Sequence, residues 1–183
     1  WYQTKKIFKN QKIKNGTFVE KSMTQDEKFM HRAIELAKKG NGFVSPNPLV
    51  GAVIVKNGKV VAQGWHKYFG GDHAEIVALN AARKAGLNLS GSVLYINLEP
   101  CVHYGKTPPC VGRVIASGIK RVVIAMKDQN PLVNGRGITA LEKAGIKVDI
   151  GCLGSQAQAL RRPFVAMKVA MSLDGKISTR TGD

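Results

Sequence analysis

The chain has 183 residues, 44% of them apolar, a length and composition that suit one domain with a sizeable core. Its formal charge of +16 favours an anionic partner, yet no Lys/Arg-rich run with interleaved aromatics occurs, so solubility and a basic tail explain the charge better than nucleic-acid affinity does. No stretch approaches the ~18 apolar residues of a membrane span and no signal-peptide core opens the chain, so membrane insertion and secretion are not expected. The three cysteines then belong to a reducing, cytoplasmic setting, where thiols serve as ligands sooner than as disulfides.

Residues 1–22 carry six Lys against one Glu and no clear period. They read as a non-native or disordered extension, with Met23 as the natural start. Thr24-Gln25-Asp26-Glu27 is a capping-box start, and Phe29, Met30, Ala33, Ile34 and Ala37 follow at helical spacing up to Gly40. Ser45-Pro46-Asn47-Pro48 is a rigid turn. Leu49 to Val55 reads as a buried strand, Asn57-Gly58 as a type I′ hairpin, and Lys59 to Trp65 as the returning strand. A helix is expected over His73 to Ala85, ended by Gly86, and a buried strand over Ser92 to Leu98. Val111 to Ser117 is a short helix introduced by Cys110. Lys120 to Met126 is a continuous apolar run of the kind found in parallel sheets. A helix over Gly137 to Ala144 and a strand over Lys147 to Ile150 close the series. The alternation predicts an α/β domain over residues 23–150, a mixed five-stranded sheet with helices on both faces, followed by a connector at 151–162. Phe164 to Met171 opens a fresh apolar strand.

The chemistry concentrates in His73-Ala74-Glu75, Pro100-Cys101 and Cys110. One imidazole and two thiolates are the ligand set of a catalytic zinc site, three protein donors leaving a fourth position for water. Glu75, two residues past the histidine, is free to carry protons. Together they match the H-x-E…P-C-x-x-C signature of zinc-dependent base deaminases, with the second half stretched to eight residues between the cysteines. A purely structural zinc is disfavoured, because such sites fill all four positions with protein. His103 is better suited to supporting or packing against the site than to a fourth ligand. His31 reads as solvated, Cys152 as a small buried thiol, and Trp65 and Tyr104 as pocket lining or core in equal measure. Gly135-Arg136-Gly137 offers a weak phosphate-loop signal that a helix start explains as well.

The segments SPNPLVGAVIV (45–55), GWH (64–66), HAEIVAL (73–79), LEPCVHYGKTPPC (98–110) and DQNPLVNGRG (128–137) closely resemble the deaminase half of the bifunctional riboflavin-biosynthesis deaminase/reductase family. RPFVAMKVAMSLDGKIS (162–178) resembles the opening of its reductase half, which makes 163–183 a truncated start of that domain. The departures, Asn97, Val102 and Gln129, touch no expected ligand. The resemblance implies a three-layer α/β/α cytidine-deaminase-like fold, one Zn²⁺ per chain, and NADPH only if a full reductase domain is present. It implies the substrate 2,5-diamino-6-ribosylamino-4(3H)-pyrimidinone 5′-phosphate, whose exocyclic amine leaves as ammonia. It also maps substrate contacts to Asn47, His66, Lys106, Asp128 and Asn130. A homo-oligomer is compatible with it.

Two other classes compete. A tRNA or nucleoside base deaminase would share the zinc site and welcome the basic charge, but the long loop between the cysteines and the reductase-like tail count against it. A non-catalytic zinc module would have no need for Glu75.

Overall fold

The computed structural model describes residues 22–102, 109–131 and 133–161, with the backbone of 11–14 and 17–20. Its elements are β1 (Gln11–Lys14), β2 (Thr17–Glu20), α1 (Gln25–Lys38), β3 (Gly51–Lys56), β4 (Lys59–Trp65), α2 (Ala74–Lys84), β5 (Val93–Ile96), α3 (Cys110–Ala116), β6 (Arg121–Ile124), α4 (Arg136–Lys143), β7 (Lys147–Ile150) and α5 (Gly154–Ala159). Strands β3 to β7 form one mixed sheet in the order β4-β3-β5-β6-β7. The β3–β4 and β3–β5 pairings are antiparallel; β5–β6 and β6–β7 are parallel. This is the five-stranded sheet that the alternation of elements predicts.

Side-chain alternation along the strands divides the core in two. Ala52, Ile54, Leu94, Ile96, Val122 and Ile124 face α2, α3 and α4. Val53, Val55, Tyr95 and Val123 face α1 and Ala157 of α5. The period-2 pattern therefore buries both faces, and helices cover each of them. The architecture is three layers, α/β/α.

Local chemistry explains where the elements begin and turn. Thr24 caps α1, its hydroxyl accepting from the Glu27 amide at 3.2 Å while the Glu27 carboxylate accepts from the Thr24 amide at 2.7 Å. Asn57 and Gly58 both adopt positive φ, 51° and 70°, as the type I′ turn requires. Gly64 lets β4 run hard against α2, where a Cβ would come within 2.5 Å of the Ala74 carbonyl oxygen. That contact seats the start of α2 at the sheet surface.

Three elements lie outside the expected series. The segment read as a connector contains α5, and residues 11–14 and 17–20, read as part of a non-native or disordered extension, pair as the antiparallel strands β1 and β2. Among the described residues no helix is long and apolar enough to cross a membrane.

Candidate active site

The parallel strands end, and α2 and α3 begin, around one cavity of about 240 Å³. Asn47, His66, His73, Glu75, Glu99, Cys101, Asp128 and Asn130 contribute to its wall, and Phe69, Ile96, Leu98 and Val133 supply apolar surface. Ligands of open α/β sheets bind at this carboxyl end of the strands.

His73 is the N-cap residue of α2, with extended backbone at φ −68° and ψ 159°, and its side chain caps nothing. The ring is thereby free to turn toward the cysteines. Cys101 follows β5, and Cys110 is the first residue of α3. Cys110 Sγ lies 3.2 Å and Cys101 Sγ 3.7 Å from His73 Nδ1. All three donor atoms fall within 4.8 Å of one another. Zn–N bonds near 2.0–2.1 Å and Zn–S bonds near 2.3 Å put tetrahedral donors roughly 3.5 Å apart, so the three side chains fit a single zinc ion. The Cys110 amide also donates to Cys101 Sγ at 3.4 Å, a bond that supports sulfur carrying negative charge.

The electrostatics separate the two thiols. Cys101 is pulled down to about 4, first by S–H donation from Cys110 and then, against burial, by the His73 imidazole. Cys110 is pushed upward by its bond to Cys101 and by burial. His73 is raised above the ordinary imidazole value, chiefly by its bond to Cys101. Glu75 is 2% exposed, and burial raises its carboxyl above the usual range. A carboxyl so raised can hold a proton and release it, which is what a proton carrier between water and an amine has to do.

The remaining predicted residues are distributed around this centre. His66 is buried; its Nδ1 donates to the Asp72 carbonyl and its Nε2 accepts from the Asn47 amide, both at 3.0 Å. That pairing orients Asn47. The His66 and His73 rings meet edge to face at 5.4 Å. Asp128 accepts from the Asn130 amide at 3.0 Å and approaches Arg161 at 3.6 Å. Lys106, together with His103 and Tyr104, lies outside the described residues. Trp65 is not part of the cavity wall; it packs on the α1 side of the sheet, with Lys39 and Lys67 about 5 Å from its ring. Cys152 packs on that side too, its thiol pushed up to about 11 by burial.

Sequence reasoning assigned no role to two buried polar residues here. Asn97 stitches β5 to the start of β3, accepting from the Gly51 amide at 2.8 Å and donating to the Leu49 carbonyl at 2.9 Å. Glu99 is 4% exposed and accepts from four backbone amides. The available signal was a polar residue at the end of an apolar strand.

Residues 23–126 match the family described as the cytidine and deoxycytidylate deaminase zinc-binding region. This chain belongs to that family. Among curated deaminase relatives, the riboflavin biosynthesis protein RibD of Bacillus amyloliquefaciens is 51% identical over 168 residues, 86% of this chain and 44% of its own length. A diaminohydroxyphosphoribosylamino-pyrimidine deaminase of Buchnera aphidicola from Schizaphis graminum is 51% identical over 140 residues, 76% of this chain and 93% of its own. The crystal structure of the deaminase/reductase of Thermotoga maritima superposes with a TM-score of 0.73 at 51% identity, covering 87% of this chain and 48% of that one. The chain thus spans less than half the length of the Bacillus protein and almost all of the Buchnera deaminase.

Proposed function

We propose that this chain is a zinc-dependent hydrolytic deaminase of 2,5-diamino-6-ribosylamino-4(3H)-pyrimidinone 5′-phosphate in riboflavin biosynthesis, with His73, Cys101 and Cys110 as the metal ligands and Glu75 as the catalytic proton carrier. One observation carries the reading: an imidazole and two sulfurs converge at zinc-ligand spacing on a cavity that also holds a buried, unligated carboxyl. The identity to the Buchnera deaminase over nearly its whole length supports the substrate assignment.

Zinc held by these three donors supplies Lewis-acid activation of a water molecule. Glu75 accepts the proton that the water sheds as it attacks the amidine-like ring carbon. It passes that proton to the ring nitrogen, then takes the proton of the hydroxyl formed on the ring carbon and hands it to the exocyclic amine, which leaves as ammonia as the carbon–nitrogen bond breaks and the carbonyl forms. Asn47, oriented by His66, and the Asp128–Asn130 turn offer polar groups to the ring and ribose; Lys106 is the cation for the phosphate. The apolar wall of Phe69, Ile96 and Leu98 keeps bulk water from the reacting carbon. A small phosphorylated substrate and a cytoplasmic setting go with this reading. The reductase activity named for the longer relatives, with its NADPH, would belong to a chain carrying the whole of that second domain.

The test is ammonia release from the riboflavin-pathway pyrimidine, free cytidine nucleotides and tRNA in parallel. Turnover of the diaminopyrimidine alone supports the assignment; turnover of tRNA or cytidine in preference to it overturns the substrate while keeping the reaction class.

A further inference from the structure

We propose that Glu99 is a positioning residue, an internal carboxylate that holds the chain at Asp128 and at residues 135–138 against the loop bearing Cys101 and so sets the substrate-facing wall of the cavity. The proposal rests on the deaminase reading for its substrate, though not for its geometry. Glu99 follows β5, two residues before Cys101. Its Oε2 accepts from the amides of Asp128 at 3.2 Å and Gly135 at 2.9 Å; its Oε1 accepts from Gly137 at 2.9 Å and Ile138 at 3.3 Å. A buried carboxylate is costly unless its lone pairs are met, and here four backbone donors meet them.

These donors come from both ends of the segment that carries Asp128 and Asn130. Gly135 turns the chain in the left-handed region at φ 84°, and Arg136 and Gly137 then start α4. A Cβ on Gly137 would lie 2.3 Å from the Pro100 carbonyl oxygen, so backbone meets backbone between the metal loop and α4. The Arg136 amide is also occupied, donating to the Val133 carbonyl at 2.7 Å. The Gly135, Gly137 and Ile138 amides therefore form an anion nest that the chain fills with its own side chain. With its donors met by Glu99, the nest ties the loop bearing Cys101 to the wall bearing Asp128 and Asn130.

Glu99→Gln keeps the shape but turns a donor toward the amides at one oxygen position, breaking up to two of the four bonds and leaving those amides unmet. The expected result is a KM for the diaminopyrimidine raised about tenfold or more, with kcat within about threefold and zinc content unchanged, since binding residues move while the metal and Glu75 do not. Hydrogen exchange on the substrate-free protein gives a second readout: the amides of Asp128, Gly135, Gly137 and Ile138 lose protection while those of β5 and β6 keep theirs. An unchanged KM, or unchanged exchange at those four amides, overturns the proposal. Should Glu99→Gln fail to fold, Gly135→Ala decides: its Cβ meets nothing within 4 Å but strains the left-handed turn, so a raised KM supports the role and an unchanged one overturns it. If the wild-type chain does not turn over the pyrimidine, the substrate reading alone fails, and the exchange measurement still decides whether Glu99 holds this wall.

Discussion

Glu75 enters the cavity from the first turn of α2, two residues beyond the N-cap residue His73, so the proposed metal donor and proton carrier sit at one end of one helix. Glu75→Gln preserves volume and removes the titrating group. Activity is expected to fall by about 10²-fold or more with zinc retained, measured as ammonia release beside metal content. Cys110→Ser removes the more deeply buried thiol, and zinc content should drop with activity. Residues of this kind were legible because their meaning is local: a histidine and glutamate two apart, and a proline-cysteine at a strand end. Glu99 was not, since its partners lie 29 to 39 residues further along the chain. No local spacing announces a carboxylate whose role is to hold a distant loop.

Helices and strands of the α/β domain with strong signals stand where the sequence put them; one missed element had a weak signal and one pair had a signal that was not used. Thr24 illustrates the strong case, and Thr24→Ala should cost about 1 kcal/mol of stability in urea unfolding. In α5 only Ala157 is buried, and GSQAQA carries no apolar period, so it passed as a connector. The β1–β2 pair had a signal that was overlooked: Asn15-Gly16 separates two four-residue runs, the same dipeptide that marks the β3–β4 hairpin. On the opposite rim of the sheet from the cavity, Arg121 ties α1 to β6 and β7. Its guanidinium reaches Asp26 at 2.6 and 3.0 Å and Asp149 at 2.6 Å, while the Tyr95 hydroxyl donates to Asp26 at 2.6 Å. Arg121 above all holds the Asp26 carboxyl below its usual value. A depressed folded pKa adds stability that is complete above the unfolded value of about 3.9 and disappears as pH falls through the folded one. The stability difference between wild type and Arg121→Met is therefore expected to be full near neutrality and to shrink at about pH 3, read by urea unfolding at both.

At the scale of the molecule, two apolar layers hold the sheet between helices and present the strand ends to one cavity. Ile124 is fully buried at the centre of the α2–α4 side, and Ile124→Ala should destabilise the domain by about 2–5 kcal/mol. The zinc donors join the loop after β5 to the starts of α2 and α3, so metal removal should also lower the melting temperature, a global effect from three side chains. The three-layer design was legible because continuous apolar strands demand cover on both faces. The bonds of Glu99 to four distant amides, and of Asn97 to the start of β3, arise only once the sheet has formed. The most direct test of the account is deamination of the diaminopyrimidine by purified protein of known zinc content, before and after chelation. The account predicts one zinc per chain, ammonia release that stops when the metal is stripped, and recovery on adding zinc back; steady ammonia release from metal-free protein would contradict it.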